Sequence, residues 1–215
     1  MFLSIQSLII FEFIIFTSSK NIIDIIMKIK FIIGLIFFSN LLFSQGFKGG
    51  LFAGMTASQV DGDQWAGYSK VGLQMGVYSR YLFNDSWSLV TELKYIQKGS
   101  IHTEKDNPYA YFRIKLNYIE IPVLLNFQLN NRFVFGAGLS YGYLLNAKVD
   151  DASGSVPEEQ LAYRNLDINA LTQVKYLLNE RIWIDLKFAY SVIYITDVSP
   201  RQFNNLISLG FGYEI

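Results

Sequence analysis

The sequence predicts an all-β fold: an eight-stranded antiparallel up-and-down transmembrane β-barrel, preceded by a signal peptide. Three observations predict it. Apolar and polar residues alternate strictly through eight segments, each about 11 residues or longer, and a period of two marks a strand. That is about twice the usual strand length and matches a tilted membrane-crossing strand. The connections alternate between short Asn-containing turns and long polar loops, the pattern of an outer-membrane barrel. Finally, the 215 residues are 51% hydrophobic and 16% aromatic, with 17% charged and 16 Gly. That apolar content excludes a disordered chain.

The elements follow in order. Residues 1–44 are rich in Ile, Leu and Phe and show no alternation. Met27, the basic Lys28 and Lys30, the apolar Phe31-Ile-Ile-Gly-Leu-Ile-Phe-Phe38 and the small Ser44 before Gln45 form a secretory signal pattern. Residues 27–44 are therefore expected to be the signal peptide, residues 1–26 a spurious extension upstream of the true start, and 45–215 the barrel. A membrane helix near 3–19 is the competing reading, but Glu12 interrupts it and it falls short of the roughly 20 apolar residues a span needs. Without residues 1–44, 15 basic and 16 acidic residues remain.

Strands are expected near 46–56, 68–83, 86–99, 111–129, 132–146, 164–178, 181–194 and 204–215. Asn84-Asp85, Asn130-Asn131 and Asn179-Glu180 read as two-residue turns, since Asn and Asp tolerate positive φ. Long connections near 57–67, 100–110, 147–163 and 195–203 hold Pro108, Pro157 and Pro200. An even strand number puts both mature termini on the short-turn, periplasmic side. Pro122 removes one ladder hydrogen bond from the fourth segment. The apolar phase there changes from Ile114, Leu116 and Tyr118 to Ile119, Ile121 and Val123, which predicts a β-bulge near Tyr118.

Residue volume decides which face is inside. Gly50, Gly54, Gly72, Gly76, Gly136, Gly138, Gly142, Gly210 and Gly212 share the parity of the charged residues, whereas Phe133, Phe135, Leu139, Tyr141, Leu209, Phe211 and Tyr213 share the other. An eight-stranded interior is tight and filled by side chains, so the Gly-rich polar face belongs inside and the bulky face against lipid. A soluble lipocalin-like ligand-binding barrel would need the reverse. The lumen charges are then Arg80, Lys94, Lys175 and Lys187 against Glu92, Glu120, Asp167, Asp185 and Glu214, with Glu92/Lys94 and Asp185/Lys187 two apart on one face. Such a balanced set fits a plugged barrel rather than a channel, with a proton or ion path as the lesser alternative. Tyr81, Phe83, Trp87, Phe127, Phe133 and Tyr176 form an aromatic girdle near the short turns, and Tyr95, Tyr118, Tyr141, Tyr143 and Tyr190 the upper one. Trp183 has inward parity.

Tyr118-Ile-Glu-Ile-Pro-Val-Leu-Leu125, Glu92-Leu-Lys-Tyr-Ile-Gln-Lys-Gly99, Phe135-Gly-Ala-Gly138 and Leu209-Gly-Phe-Gly-Tyr213 resemble the strand motifs of PorT-like outer-membrane β-barrel proteins of Bacteroidetes-type bacteria. The resemblance covers essentially all of 46–215. It implies an eight-stranded barrel in the bacterial outer membrane with a cleaved signal peptide. The family's namesake is implicated in type IX secretion and gliding, a role not carried over to this chain. The terminal Tyr213-Glu-Ile215 departs from the common terminal aromatic but keeps the alternation.

Chemistry-bearing motifs are sparse. With no Cys there is no disulfide scaffold, thiolate zinc site or cysteine nucleophile, and a formal net charge of zero excludes polyanion binding by bulk charge. His102, with Ser100 and Glu104 two residues to either side, is the one arrangement resembling a catalytic relay, and it carries the alternative of a lipid A-modifying hydrolase. The order differs from that of the known deacylases, which place His before Ser. Asp61-Gly-Asp63 and Asp150-Asp151 lack the spacing of a defined Ca²⁺ loop and read as solvated loop acids. No catalytic, cofactor-binding or metal-ligating residue is assigned and no cofactor is expected. The expected partners are outer-membrane lipid, the barrel-insertion machinery and an envelope or secretion-system protein, with no nucleic acid. The reading is of a non-enzymatic structural, adhesion or secretion-assembly protein.

Overall fold

Alternating side chains that bury one parity and expose the other form strands that close on themselves. A computed structural model describes residues 46–63, 67–103, 111–151, 154–155, 163–197 and 199–215. The expected signal peptide and upstream extension, Glu104, Pro108 and Pro157 lie outside these residues. Phe47–Ile215 forms one unit. Its strands are β1 (Phe47–Asp61), β2 (Lys70–Leu82), β3 (Trp87–Thr103), β4 (Tyr111–Gln128), β5 (Phe133–Asp151), β6 (Gly154–Ser155), β7 (Leu166–Leu177), β8 (Ile182–Ser191) and β9 (Phe203–Glu214). All pair antiparallel, in the order β4-β3-β2-β1-β9-β8-β7-β5, and β4–β5 pairing closes an eight-stranded ring. The two-residue β6 folds back to pair antiparallel with the end of β5. Pairing of Phe47 with Tyr81 and of Gly50 with Glu214 puts both ends of the barrel chain beside the short turns.

The faces are as volume requires. Phe135, Leu139 and Phe211 are 42%, 59% and 52% exposed, whereas Glu92 and Lys187 are 3% and 4% exposed. An outer wall this apolar is far beyond the patches soluble monomers tolerate, which sets aside the soluble ligand-binding barrel. At the short-turn end, cross-strand rings meet: Trp87–Phe127 at 5.0 Å, Phe133–Tyr176 at 5.1 Å and Phe47–Tyr81 at 4.8 Å between centroids.

Four features differ from the sequence reading. First, the short turns are longer than two residues and are closed by a side chain. Asn84 Oδ1 accepts the N–H groups of Ser86 and Trp87, Asn130 Oδ1 those of Arg132 and Phe133, and Asn179 Oδ1 those of Arg181 and Ile182, all at 2.8–2.9 Å. Each turn is thereby an Asx turn inside a slightly longer loop. Second, the register shift does fall at Asn117/Tyr118, but the phase change is on the partner strand. β4 keeps its even residues inward throughout, while on β5 Leu145 is the extra residue and both Leu145 and Asn146 face out.

Third, Tyr118 is fully buried in the lumen rather than part of a lipid-facing girdle. It belongs to an apolar plug that includes Ile96, Ile114, Leu116, Val149 and Ile195, so the interior is not uniformly polar. Fourth, β3 enters the lumen. Its ladder with β2 runs only as far as Gln74↔Ile96. Beyond it, the Thr56 and Ser58 hydroxyls of β1 donate to the carbonyls of Gln97 (2.9 Å) and Gly99 (3.0 Å), and the Leu73 N–H donates to Gln97 Oε1. Gly99 has φ +135°, and a Cβ there would run into the Ile114 carbonyl. A glycine is required for this close approach.

Candidate functional site

The inward parity gathers the charges into stacked clusters. In the first, Lys98 Nζ lies 2.6 Å from Glu120 Oε1 and 2.9 Å from Asp167 Oδ2, and donates to Asn169 Oδ1 at 3.1 Å. Lys94 adds a bridge to Glu120 at 3.3 Å. Ser191 Oγ and Asn204 Nδ2 donate to Asp167 at 2.7 and 2.8 Å. In the second, Lys187 contacts Glu92 at 2.5 Å and Asp185 at 3.3 Å. The Asp185/Lys187 pair two apart is formed, whereas Glu92 meets Lys187 across the barrel and Lys94 turns to Glu120. The third sits at the short-turn end, where Glu214 accepts from both Arg80 (2.7 and 2.8 Å) and the Tyr78 hydroxyl (3.3 Å), with Lys48 at 3.2 Å.

Trp183 faces inward as its parity requires. Its indole N–H donates to the Tyr78 hydroxyl at 3.3 Å, and Lys175 Nζ stands 3.9 Å from its ring. The glycines make this geometry possible: a Cβ on Gly212 would enter the Trp183 ring, and one on Gly210 would meet the Asp185 carboxylate. Charges this deeply buried persist only when paired and hydrogen-bonded. The network therefore serves to close and order the lumen. Below it, a vestibule of about 820 Å³ opens at the short-turn end, lined by residues including Lys48, Arg80, Asp85, Arg132 and Glu180.

The catalytic candidates are not assembled into a site by the described residues. Ser100 is buried opposite Ile114, and His102, half-buried, stands opposite Phe112 in the β3–β4 ladder. Glu104 lies outside the described residues. Asp61 accepts from Gln59 (2.7 Å) and Asn205 (3.3 Å), and Asp63 is buried. Asp150 accepts from Ser155 (2.7 Å) and bridges Lys148 (3.2 Å) and Lys115 (3.5 Å). The Ser155 hydroxyl first, and these lysines with it, hold its carboxyl below the usual range. Lys98, the hub of the lumen, was missing from the charges expected inside. Its signal is the even parity it shares with Glu92 and Lys94.

The family model for the outer membrane protein beta-barrel domain matches residues 38–197. No curated protein matches the chain. Among solved structures, Ail, the attachment invasion locus protein of Yersinia pestis, is similar over 80% of this chain and 99% of its own, at 17% identity and a TM-score of 0.51. Neisserial surface protein A is similar over 80% of this chain and 98% of its own, at 18% identity and a TM-score of 0.48. The family match and the likeness to Ail establish the barrel fold.

Proposed function

Because the chain belongs to the outer membrane protein beta-barrel domain family, we propose that it acts as a non-enzymatic anchored scaffold whose outer loops serve adhesion or envelope structure. The observation that carries this is the filled lumen. Apolar side chains, the inward part of β3 and matched ion pairs occupy the space that a pore or a reaction cavity would need. What remains for function is the surface at the two ends. Both mature termini face the periplasm in this reading, because they share the end with the short turns. The long loops then face outward. A secretion-assembly role for the same surfaces is the other form of the proposal, and the type IX role of the resembled family's namesake is not part of it.

The test pairs two strains, one expressing the full barrel and one with residues 104–110 and 156–162 replaced by short Gly-Ser turns. Both proteins should resist carbonate extraction and show heat-modifiable mobility, and only the first should change cell attachment or co-purify an envelope protein. A change in lipid A mass that disappears in His102→Ala would overturn the proposal in favour of a hydrolase.

A further inference from the structure

The β5 bulge has an effect on the outer wall. Leu145 and Asn146 both face out, after which Ala147 and Val149 turn inward and Lys148 turns outward. Lys148 is thereby set directly opposite Lys115 of β4 in the ladder. Arg113 follows two residues farther along β4, opposite Asp150. On the other side of Lys115 stands Gly99, and its lack of a side chain leaves room for the Lys70 stem, whose Cδ is 2.9 Å from where a Cβ would be.

Like charges directly opposite on a ladder are destabilising. Here two lysines share one carboxylate, Asp150. Three cations, Lys115, Lys148 and Arg113, gather around that acid among the described residues, and Lys115 and Lys148 keep 39% and 50% of their side chains exposed. The height of the cluster indicates what the excess charge meets. Leu145, 52% exposed, is the last outward hydrophobe on β5. Lys148 is three residues beyond it, about 10 Å along the strand, in the layer where headgroups begin. Lysine stems lie along apolar surface while their ammonium groups reach polar atoms. Beneath the lysines, Asn117 and Asn146 form an outward cross-strand pair that offers amide donors and acceptors.

We propose that Lys115, Lys148 and Arg113, with Asn117 and Asn146 below them, bind the phosphorylated sugar headgroup of an outer-leaflet glycolipid. The cations would take the phosphate through charge-assisted hydrogen bonds and the asparagines the sugar hydroxyls. The inference rests on the membrane reading given above and extends it to one lipid class and one face of the barrel.

The experiment uses the full barrel refolded in phosphatidylcholine nanodiscs containing bisphosphorylated lipid A, with retained lipid read by native mass spectrometry. The wild type should retain lipid A and release its dephosphorylated form, and inorganic phosphate at equal concentration should not displace it. Lys115→Gln/Lys148→Gln should weaken retention on the order of thirty-fold, while Lys115→Arg/Lys148→Arg should preserve it. Equal retention by the Gln variant, or equal retention of the dephosphorylated lipid, would overturn the site. So would an inserted, heat-modifiable wild type that retains no lipid A, which would assign the cations to the chain's own loop acids. A wild type that never inserts would sink the membrane reading, and the site with it.

Discussion

Lys98 shows how a single side chain holds the barrel together. It is fully buried and neutralises two carboxylates from different strands. Lys98→Met should leave Asp167 without a cation and Glu120 with Lys94 alone, at a cost of about 3–5 kcal/mol in denaturant unfolding of the reconstituted barrel. Lys48→Met removes an ion pair whose lysine is half exposed, and should cost less than about 1 kcal/mol in the same assay. Gly212→Ala drives a Cβ into the Trp183 ring. It should destabilise by about 1–3 kcal/mol and shift the tryptophan emission. At this scale much was legible. Parity placed Glu92, Asp185 and Trp183 inside correctly. It failed at Tyr118 because residue type was weighed above position, although Tyr118 shares its parity with Glu120. Which acid meets which lysine was not legible, since Glu92 finds its partner 95 residues away in the chain.

At the scale of elements, three hairpins use one device. Replacing Asn130 with Ala removes two side-chain hydrogen bonds to backbone and should cost about 1 kcal/mol by equilibrium unfolding, with the neighbouring Asn131 tolerant. The bulge makes a sharper prediction. Deleting Leu145 would leave Tyr118↔Leu144 and Asn117↔Asn146 as consecutive pairs without reversing any face. The deletion variant should still fold, judged by heat-modifiable mobility. Deleting Ala137 from the same strand would reverse every face beyond it and should abolish folding. Turn positions and strand extents could be read from Asn residues and alternation. The inward course of β3 could not, because it depends on contacts between Thr56 or Ser58 and backbone some 41 residues distant.

For the whole molecule, alternation, an even strand number and alternating loop lengths together left one architecture. The polar-inside reading needed its volume argument, and the apolar plug went unseen because Ile114, Leu116 and Tyr118 were counted with the lipid-facing residues. The plug has a consequence for transport. Ile96, Ile114, Leu116 and Tyr118 are fully buried in the lumen alongside the ion pairs, so the barrel should give no sustained unitary conductance in planar bilayers. The orientation of the two faces underlies every other conclusion. The chain contains no Cys, so single cysteines can be introduced and spin-labelled without removing others. Labels at positions 135, 139 and 211 should be relaxed strongly by oxygen dissolved in the bilayer and weakly by an aqueous nickel chelate, whereas labels at 140 and 208 should be shielded from oxygen. High oxygen accessibility at 140 and 208, with 135, 139 and 211 protected, would contradict the account.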